Sequence, residues 1–496
     1  MNMKMKLYIL LAFFTLLIAS CSDWLDVEPK SSVKSDALFE TEAGFKDALT
    51  GVYLLMSQRS MYGLELTVGF ADILGQQYTF SPGFNTYDKD SQYKYEEPDV
   101  EARIASIWLA MYNTIANVNN ILKNIEIHKD VLHPTSYGII KGECLGLRAF
   151  LHFDLLRLFG YENLANKQEY WSLPALPYVM EYHKSIVPQL STADYVKHIE
   201  QDLNDAYVLL LENDPYSVQP KAENYYLPND DQYYTHRNRH FNYFALRATQ
   251  ARFYLWLGKR SEALACAQEI IDNNGRFAWI QEQVINNKDE KARDLTFSTE
   301  HILGLNVYNL NDNVERFINP EINGSNINYD LLYHTKEQAD KIYEIGAGIG
   351  NSDYRYTQLY KPEGNQYILL KFVQPEGYQY PDIMPVIRKT EAYYIAAECL
   401  NATGDGNDKK VAIDYLNIVR MNRGIVPKLT EVLTQEQVAE EIHKEYKKEF
   451  VSEGQLFYFY KRLGYAAIPG SAAVANTKVY KLPIPDVEID FGGRVN

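Results

Sequence analysis

The chain has 496 residues, of which 46% are hydrophobic, and its formal net charge is −16. A chain of this length can bury a large core, and its acidic surface would repel phosphates, which argues against nucleic acid as a partner. No CxxC pair is present to hold zinc. We expect Cys144, Cys266 and Cys399 to be small buried hydrophobic residues.

The N-terminus has the pattern of a secretory signal. Lys4 and Lys6 precede an uncharged, mostly apolar run that ends at Ile18-Ala19-Ser20-Cys21, and this run is too short to cross a bilayer. The exit sequence resembles the lipobox of bacterial lipoproteins, in which the cysteine is acylated. The pattern predicts a signal peptide over 1–20, lipidation of Cys21 and a tether over 21–35, anchored firmly by its acyl chains.

Helical periodicity dominates both ends of the remaining chain. Phe45, Leu49, Val52 and Met56 form one apolar stripe. The same periodicity predicts further helices near 104–122, 142–160, 191–212, 239–257, 260–273, 387–402, 409–422 and 435–455.

Three similar segments begin at residues 147, 246 and 390. The last two combine a helix containing small residues, a Gly-marked turn and a second helix, a scheme that resembles tetratricopeptide repeats. We therefore predict an all-α scaffold of helical hairpins. The scaffold has two parts, 36–274 and 387–496, and a loop-rich insertion over 275–386 separates them. The first part contains a loop at 75–99.

Tyrosine is unusually frequent, with 40 residues, and many lie in the Asn- and Gly-rich loops. A tyrosine ring offers a flat apolar face and a polar tip, which suits a recognition surface. The alternative is an aromatic core that uses tyrosine throughout, and we expect that alternative for the tyrosines in helices.

Seven segments in register carry a family resemblance: CSDWLDVEPKSSV, WLAMYNTIANVNNIL, GECLGLRAFLHFDLLRLFG, RKTEAYYIAAECL, YLNIVRMNRG, EYKKEFVSEGQLFYFYKRLG and YKLPIPDVEI. In this order and spacing they resemble the SusD/RagB family of outer-membrane nutrient-binding lipoproteins of Bacteroidetes. There are departures: the family's terminal helix is often rich in Glu and Arg, with an Arg shortly after Glu-Gly. Here Lys447 and Lys448 stand near Glu445 and Glu449, and Leu456 follows the EGQ of 453–455. Lysine is a point donor, so we expect weak carboxylate pairing there.

The resemblance implies an extracellular receptor and not an enzyme. Such proteins cover a SusC-like TonB-dependent transporter and capture oligosaccharides or, in some members, peptides. It implies a lipid-anchored, surface-exposed position at the outer membrane, and Asp23, Asp26 and Glu28 resemble the surface-export signal of such lipoproteins. No cofactor is implied, while a structural calcium ion is left open.

Sugar capture needs aromatic rings for C–H stacking beside planar donors and acceptors. Mixtures of this type occur in or near the two loop regions. The candidate ligand-binding residues are Asp72, Tyr78, Phe84, Asn85, Tyr87, Tyr308, Asn311, Arg316 and Asn323.

Signals for catalysis or metal binding are poor. His236 and His240 stand four residues apart, but no third ligand is indicated and a polar helix start explains them better. Glu441, Glu445 and Glu449, with Glu453 next in the series, recur at four-residue intervals among lysines, which favours a solvated or ion-paired face over a catalytic pair. Two alternatives to a glycan receptor remain: a peptide receptor on the same scaffold, and a helical-repeat protein that binds only other proteins. A glycoside hydrolase ranks last.

Overall fold

The computed structural model describes residues 37–320 and 328–496. The predicted signal peptide, Cys21, the tether and Asn323 lie outside the described residues. None of the helices in the described part of the chain combines the length and apolar character needed to span a bilayer.

Helices form most of the regular structure, as the all-α prediction requires. The long helices are α1 (Glu42–Met56), α4 (Pro98–Ile127), α5 (Pro134–Phe159), α6 (Thr192–Asn213), α7 (Tyr243–Trp256), α8 (Arg260–Asp272), α13 (Lys389–Asn401), α14 (Gly406–Met421) and α15 (Gln435–Glu449). The shorter ones are α2 (Phe70–Leu74), α3 (Asp88–Ser91), α9 (Glu282–Ile285), α10 (Leu310–Ile318), α11 (Lys336–Ile342), α12 (Tyr354–Thr357), α16 (Leu456–Leu463), α17 (Thr477–Tyr480) and α18 (Asp486–Gly492).

The five strands of the described chain all lie within 275–388, a detail that the sequence analysis did not predict. β1 (His301–Asn306) pairs antiparallel with β5 (Ile383–Arg388). β2 (Tyr333–Thr335), β3 (Tyr360–Glu363) and β4 (Gln366–Leu369) form an antiparallel sheet in the order β2-β4-β3. These strands are short, which is why no sustained alternation marks them in the sequence.

Helix ends follow the local chemistry of their residues. The Ser191 hydroxyl accepts a hydrogen bond from Asp194 N at the start of α6, and Thr434 with Gln437 forms a capping box at the start of α15. Pro98 and Pro134 begin α4 and α5, at the position where a missing N–H costs nothing. Gly464 ends α16 at a φ of 67°.

The predicted helical hairpins are present. Helix α5 packs on α6, α7 on α8, α13 on α14, and α8 on α13. A glycine stripe lets α5 approach its neighbours closely: a Cβ on Gly142 would lie 2.9 Å from Leu210 Cδ2, and one on Gly146 would lie 2.3 Å from Phe241 Cε1. Cys144, Cys266 and Cys399 are buried in these helices, as expected.

Glu449, near the end of α15, is the centre of a buried ion-pair network. Its carboxylate accepts hydrogen bonds from Arg355 Nη1 at 2.8 Å, from Arg423 Nη2 at 2.6 Å and from Arg388 Nη1. Arg423 also donates to Glu300 at 2.6 and 2.8 Å. All five side chains are fully buried, so the network fixes the 275–388 region to the helical scaffold.

The expectation of weak carboxylate pairing at the end of α15 is therefore wrong. The arginines that pair with Glu449 come from α12, β5 and the turn after α14, so they are distant in sequence from Lys447 and Lys448. Lys448 is itself buried and donates to Glu445 at 3.2 Å. The predicted ion pairing is present, but on an inward face and not a solvated one.

The glycine stripe on α5 predicts a destabilising variant with a matched control. Gly146→Ala should lower the free energy of unfolding by about 1–3 kcal/mol, because its Cβ overlaps the Phe241 ring. Gly51→Ala in α1 has no atom within 4 Å of the added Cβ and should stabilise the protein by up to about 1 kcal/mol. Urea unfolding measures both, and equal effects of the two substitutions would contradict the close approach.

The buried ion pairs also predict acid sensitivity. Burial alone would raise the pKa of Glu445, but Arg355 and Lys448 lower it to about 2, and Arg237 lowers the pKa of buried Glu143 to about 2 as well. Between the ordinary value of 4.5 and these values the unfolded chain binds more protons. The stabilisation is therefore complete above about pH 4.5 and is lost as the pH falls towards 2.

Urea unfolding at a series of pH values measures this loss. Glu445→Gln should make the pH dependence shallower and, by leaving buried cations unpaired, reduce stability at neutral pH by about 3–5 kcal/mol. Glu440→Gln, whose side chain is 58% exposed, should match the wild type within about 0.5 kcal/mol. An unchanged acid profile for Glu445→Gln would contradict the assigned pairing.

Candidate functional site

Two exposed aromatic rings lie face to face where the early loop meets the loop-rich region. Phe84 is 69% exposed and Tyr329 is 44% exposed. Their ring centroids are 4.9 Å apart and their planes are inclined by 28°. We call this pair the aromatic platform.

Phe84 stands at the tip of a tight turn. Phe84 N and Asn85 N both donate to Ser81 O. Gly83, which lies between Ser81 and Phe84 in the turn, has a φ of +76°, which other residues rarely adopt. Gly83 N donates to Asp88 Oδ1 at 2.9 Å. The turn thus presents the Phe84 ring to solvent.

Segment 328–333 runs beside this turn and is tied to it at two points. Thr79 and Tyr333 exchange backbone hydrogen bonds of 2.8 and 3.1 Å. Farther along, Asn85 Nδ2 donates to Tyr329 O at 3.1 Å, and Thr86 N donates to Asp330 Oδ1 at 2.8 Å. These contacts hold the two rings of the platform in register.

Asp330 also binds α10, which completes the frame of the platform. Arg316 Nε donates to Asp330 Oδ2 at 2.5 Å, while the Arg316 side chain stays 59% exposed. Asn328 Nδ2 donates to the backbone carbonyls of Arg316 and Asn319 at 2.8 and 2.6 Å. Arg316 and Asn328 thus tie α10 to the segment that carries Tyr329.

Tyr87, also predicted to bind ligand, is buried beneath this loop. Its hydroxyl donates to Glu65 Oε2 at 3.1 Å, and the Arg103 guanidinium lies 4.6 Å from its ring centroid. Burial, followed by the neighbouring Glu65 carboxylate, raises the pKa of Tyr87 well above its ordinary value. Asn85 is buried as well and accepts from Tyr87 N. Both side chains support the loop and do not face solvent.

Asp72 is fully buried, and Tyr78 is partly buried beside it. The Asp72 carboxyl accepts hydrogen bonds from Gly454 N at 2.8 Å, Ser452 N at 2.5 Å and the Tyr78 hydroxyl at 3.1 Å. Burial raises the pKa of Asp72 to about 8, against the opposing effect of these donors. This cluster joins the early loop to the turn after α15.

Tyr308 and Asn311 lie near the start of α10. Tyr308 is 77% exposed, and no ring contact joins it to the aromatic platform within the described residues. Asn311 lines a separate cleft of about 610 Å³ that also contains Glu315, Ile318 and Tyr360. Arg316 projects from a different side of α10, towards Asp330.

Of the predicted residues, then, the structure brings Phe84, Asn85 and Arg316 together. Sequence reasoning missed Tyr329 and Asp330, which supply the second ring and the central acceptor. The sequence signal that could have identified Tyr329 and Asp330 was their position at the end of the Asn-rich segment, directly before Leu331. Asn323 lies outside the described residues.

The platform offers the chemistry that sugar recognition requires. The exposed parts of both rings can take part in C–H stacking. Arg316, which pairs with the Asp330 side chain next to Tyr329 in sequence, is 59% exposed. Another cleft, of about 680 Å³, is lined by Tyr95, Tyr161, Lys481 and the 482–486 segment. It is slightly larger than the cleft that contains Asn311. We favour the platform because it alone among these sites carries two stacked, strongly exposed aromatic rings.

His236 and His240 flank the short helical turn Arg237–Arg239. No group of three metal-ligating side chains occurs within residues 37–320 and 328–496. His240 Nδ1 instead lies 3.4 Å from Glu143 Oε2, next to the Arg237 ion pairs. His240 therefore packs against the scaffold, whereas His236 is exposed.

Asp330 is predicted to hold the platform without supporting the global fold. Asp330→Ala removes the acceptor of Thr86 N and Arg316, so hydrogen exchange at Thr86 should accelerate about tenfold or more. The free energy of unfolding should fall by no more than about 1 kcal/mol, because Arg316 is largely exposed. Hydrogen–deuterium exchange measures the peptide covering 79–88. Asp414→Ala, which removes the exposed partner of Lys410, is the control and should leave that peptide unchanged.

Comparisons with known proteins agree with the fold. One family model, described as starch-binding associating with the outer membrane, matches residues 23–255. A second, described as the SusD family, matches residues 323–490.

SusD-like protein P25 of Formosa agariphila is 25% identical over 167 residues, which cover 32% of this chain and 31% of that protein. The aligned part thus spans about a third of the length of the curated relatives it matches.

Solved structures resemble nearly the whole chain. A SusD superfamily protein from Bacteroides vulgatus has a TM-score of 0.68 at 19% identity, covering 92% of this chain and 98% of that chain. A SusD-like carbohydrate binding protein from the same species has a TM-score of 0.67 at 17% identity, covering 90% and 96%. At these identities the likeness shows the fold alone. With two family models matching its two ends, the chain belongs to the SusD/RagB family.

Proposed function

We propose that this protein is a glycan receptor that captures oligosaccharides at the cell surface and passes them to a TonB-dependent transporter. The observation that carries the proposal is the aromatic platform, in which the rings of Phe84 and Tyr329 are exposed. Family membership supports a carbohydrate-binding role in nutrient uptake. The protein binds its cargo and does not cleave it.

A binding role is also consistent with the state of the carboxylates. Glu445, Glu449 and Glu453 are buried and engaged by arginine and lysine side chains. They are components of the core, and so they do not form the pair of accessible carboxylates that glycoside hydrolysis uses.

The position at the membrane follows from the N-terminal pattern. We propose that Cys21 carries the lipid anchor at the outer membrane and that Asp23, Asp26 and Glu28 direct the protein to the cell surface. The transporter is a separate chain, and the receptor covers its outer opening. Co-purification of the tagged mature protein with a barrel from solubilised outer membranes tests this partnership.

A peptide receptor is the second candidate. Half of the residues that line the cleft beside α10 are aliphatic residues or prolines, among them Leu295, Ile318, Val373 and Pro375. Such a lining suits apolar peptide side chains better than sugar rings. Binding of peptides, with silence across a glycan panel, would decide for this alternative.

The platform yields a direct test by calorimetry or affinity electrophoresis against polysaccharides and their oligosaccharides. Phe84→Ala and Tyr329→Ala should each weaken glycan binding about tenfold, equivalent to about 1.4 kcal/mol, because each removes a stacking surface. Phe491→Ala is the matched control, since Phe491 is 77% exposed but far along the chain in α18. Unchanged affinity in both platform variants, for a glycan that the wild type binds, would refute the assignment of the site.

A further inference from the structure

A second, smaller core lies inside the loop-rich region, separate from the main core of the helices. Its buried members are Ile280, Ile285, Leu295, Phe297, Tyr343, Leu359, Tyr360, Leu369 and Val451. All of these except Val451 come from residues 280–297 and 333–371, and we call these two segments the tyrosine module. Strands β2, β3 and β4 and helices α9, α11 and α12 belong to it.

Tyrosine rings fill much of this smaller core. The centroid of the Tyr343 ring lies 5.5 Å from that of Tyr356 and 5.7 Å from that of Tyr360. The rings of Tyr356 and Tyr367 are stacked, with centroids 5.8 Å apart. The Tyr356 hydroxyl donates to Asp340 Oδ1 at 2.8 Å, also within the module. The module is therefore held together by contacts among its own residues.

Charged side chains dominate the contact between the tyrosine module and α15 with the turn that follows it. Arg355 donates to Glu449 at 2.8 Å and to Glu445 at 2.9 Å, and all three side chains are fully buried. The ion pairs across this contact are those of Arg355 with Glu445 and Glu449, of Glu344 with Lys444 and Lys448, and of Lys371 with Glu453. Within the described chain, Val451 is the one buried apolar side chain that the α15 side adds to the module's core.

A contact made of buried ion pairs fixes geometry but adds little net free energy. The cost of removing both charges from water offsets most of their attraction, and both charges regain water when the contact opens. The helices of the scaffold, in contrast, pack through the apolar side chains of the main core, whose burial drives folding. The module should therefore separate from the scaffold at a lower free energy than the scaffold needs to unfold.

We propose that the tyrosine module opens as one unit while the helical scaffold stays folded. The opening reaches the aromatic platform through β2, which pairs with β4 inside the module. Tyr333 of β2 exchanges backbone hydrogen bonds with Thr79 in the early loop, and these bonds are one of the two ties between segment 328–333 and the turn of Phe84. Each opening of the module thus loosens the platform, which is fully assembled only while the module is closed.

Native-state hydrogen exchange of the purified mature protein in increasing urea tests the proposal. Without urea, the slowest amides of β3 and β4 should exchange at least about tenfold faster than the slowest amides of α5 and α7. As urea rises, the β3 and β4 amides should converge on one common opening, with a smaller urea dependence than that of α5, because less surface is exposed. Convergence of the β3 and β4 amides directly with those of α5 would overturn the proposal.

Two matched variants of fully buried isoleucines give a second readout. Ile199→Val in α6 of the scaffold should speed the slowest exchange in α5 about fivefold and leave β4 unchanged, because α6 stays folded when the module opens. Ile285→Val in α9 of the module should speed exchange in both β4 and α5, because both openings start from the same destabilised native state.

Equal acceleration of β4 and α5 by Ile199→Val would show a single unfolding unit and overturn the proposal. The wild-type measurement decides the question even if a variant does not fold. Neither measurement uses a glycan, so a negative result here leaves the proposed function untouched.

Discussion

The pairing of Glu449 with three buried arginines is the interaction on which the rest of the architecture depends. One carboxylate at the end of α15 joins α12, β5 and the turn after α14, and Arg423 extends the contact to Glu300, directly before β1. β1 leads into α10, whose Arg316 holds Asp330 beside the aromatic platform. The loop-rich region is therefore positioned by charge pairing in the core, while the helical hairpins supply the apolar surface that excludes water from those charges.

Much of the scaffold could be predicted from the sequence because a long helix shows a periodic spacing of apolar residues among consecutive positions. The stripe in α1, the glycine turns and the hairpin order are all properties of consecutive residues. The short strands could not be predicted, since β1 and β5 begin 82 residues apart, at His301 and Ile383, and pair only in the folded chain. The arginine partners of Glu449 are similarly remote, which is why a local comparison of lysine with arginine led to the wrong expectation.

The candidate site was predictable in type more than in position. Composition drew attention to the tyrosine-rich loops, and the exposed ring of Phe84 was among the candidates. Tyr87 and Tyr78, however, lie in the same kind of sequence. Tyr87 is buried against Arg103 and Glu65, and Tyr78 is partly buried with its hydroxyl bonded to Asp72. Nothing local distinguishes a tyrosine that supports a loop from one that the loop presents, because the difference is made by groups that arrive from elsewhere in the chain.

The turn that carries Phe84 is secured almost entirely through main-chain atoms and through Asn85 and Asp330. The side chains of Phe84 and Tyr329 thus contribute little to the stability of the loops that carry them. Evolution can exchange these two side chains for other shapes while the underlying supports stay the same. Related proteins could therefore change their ligand specificity through substitutions at these two positions, with little loss of stability.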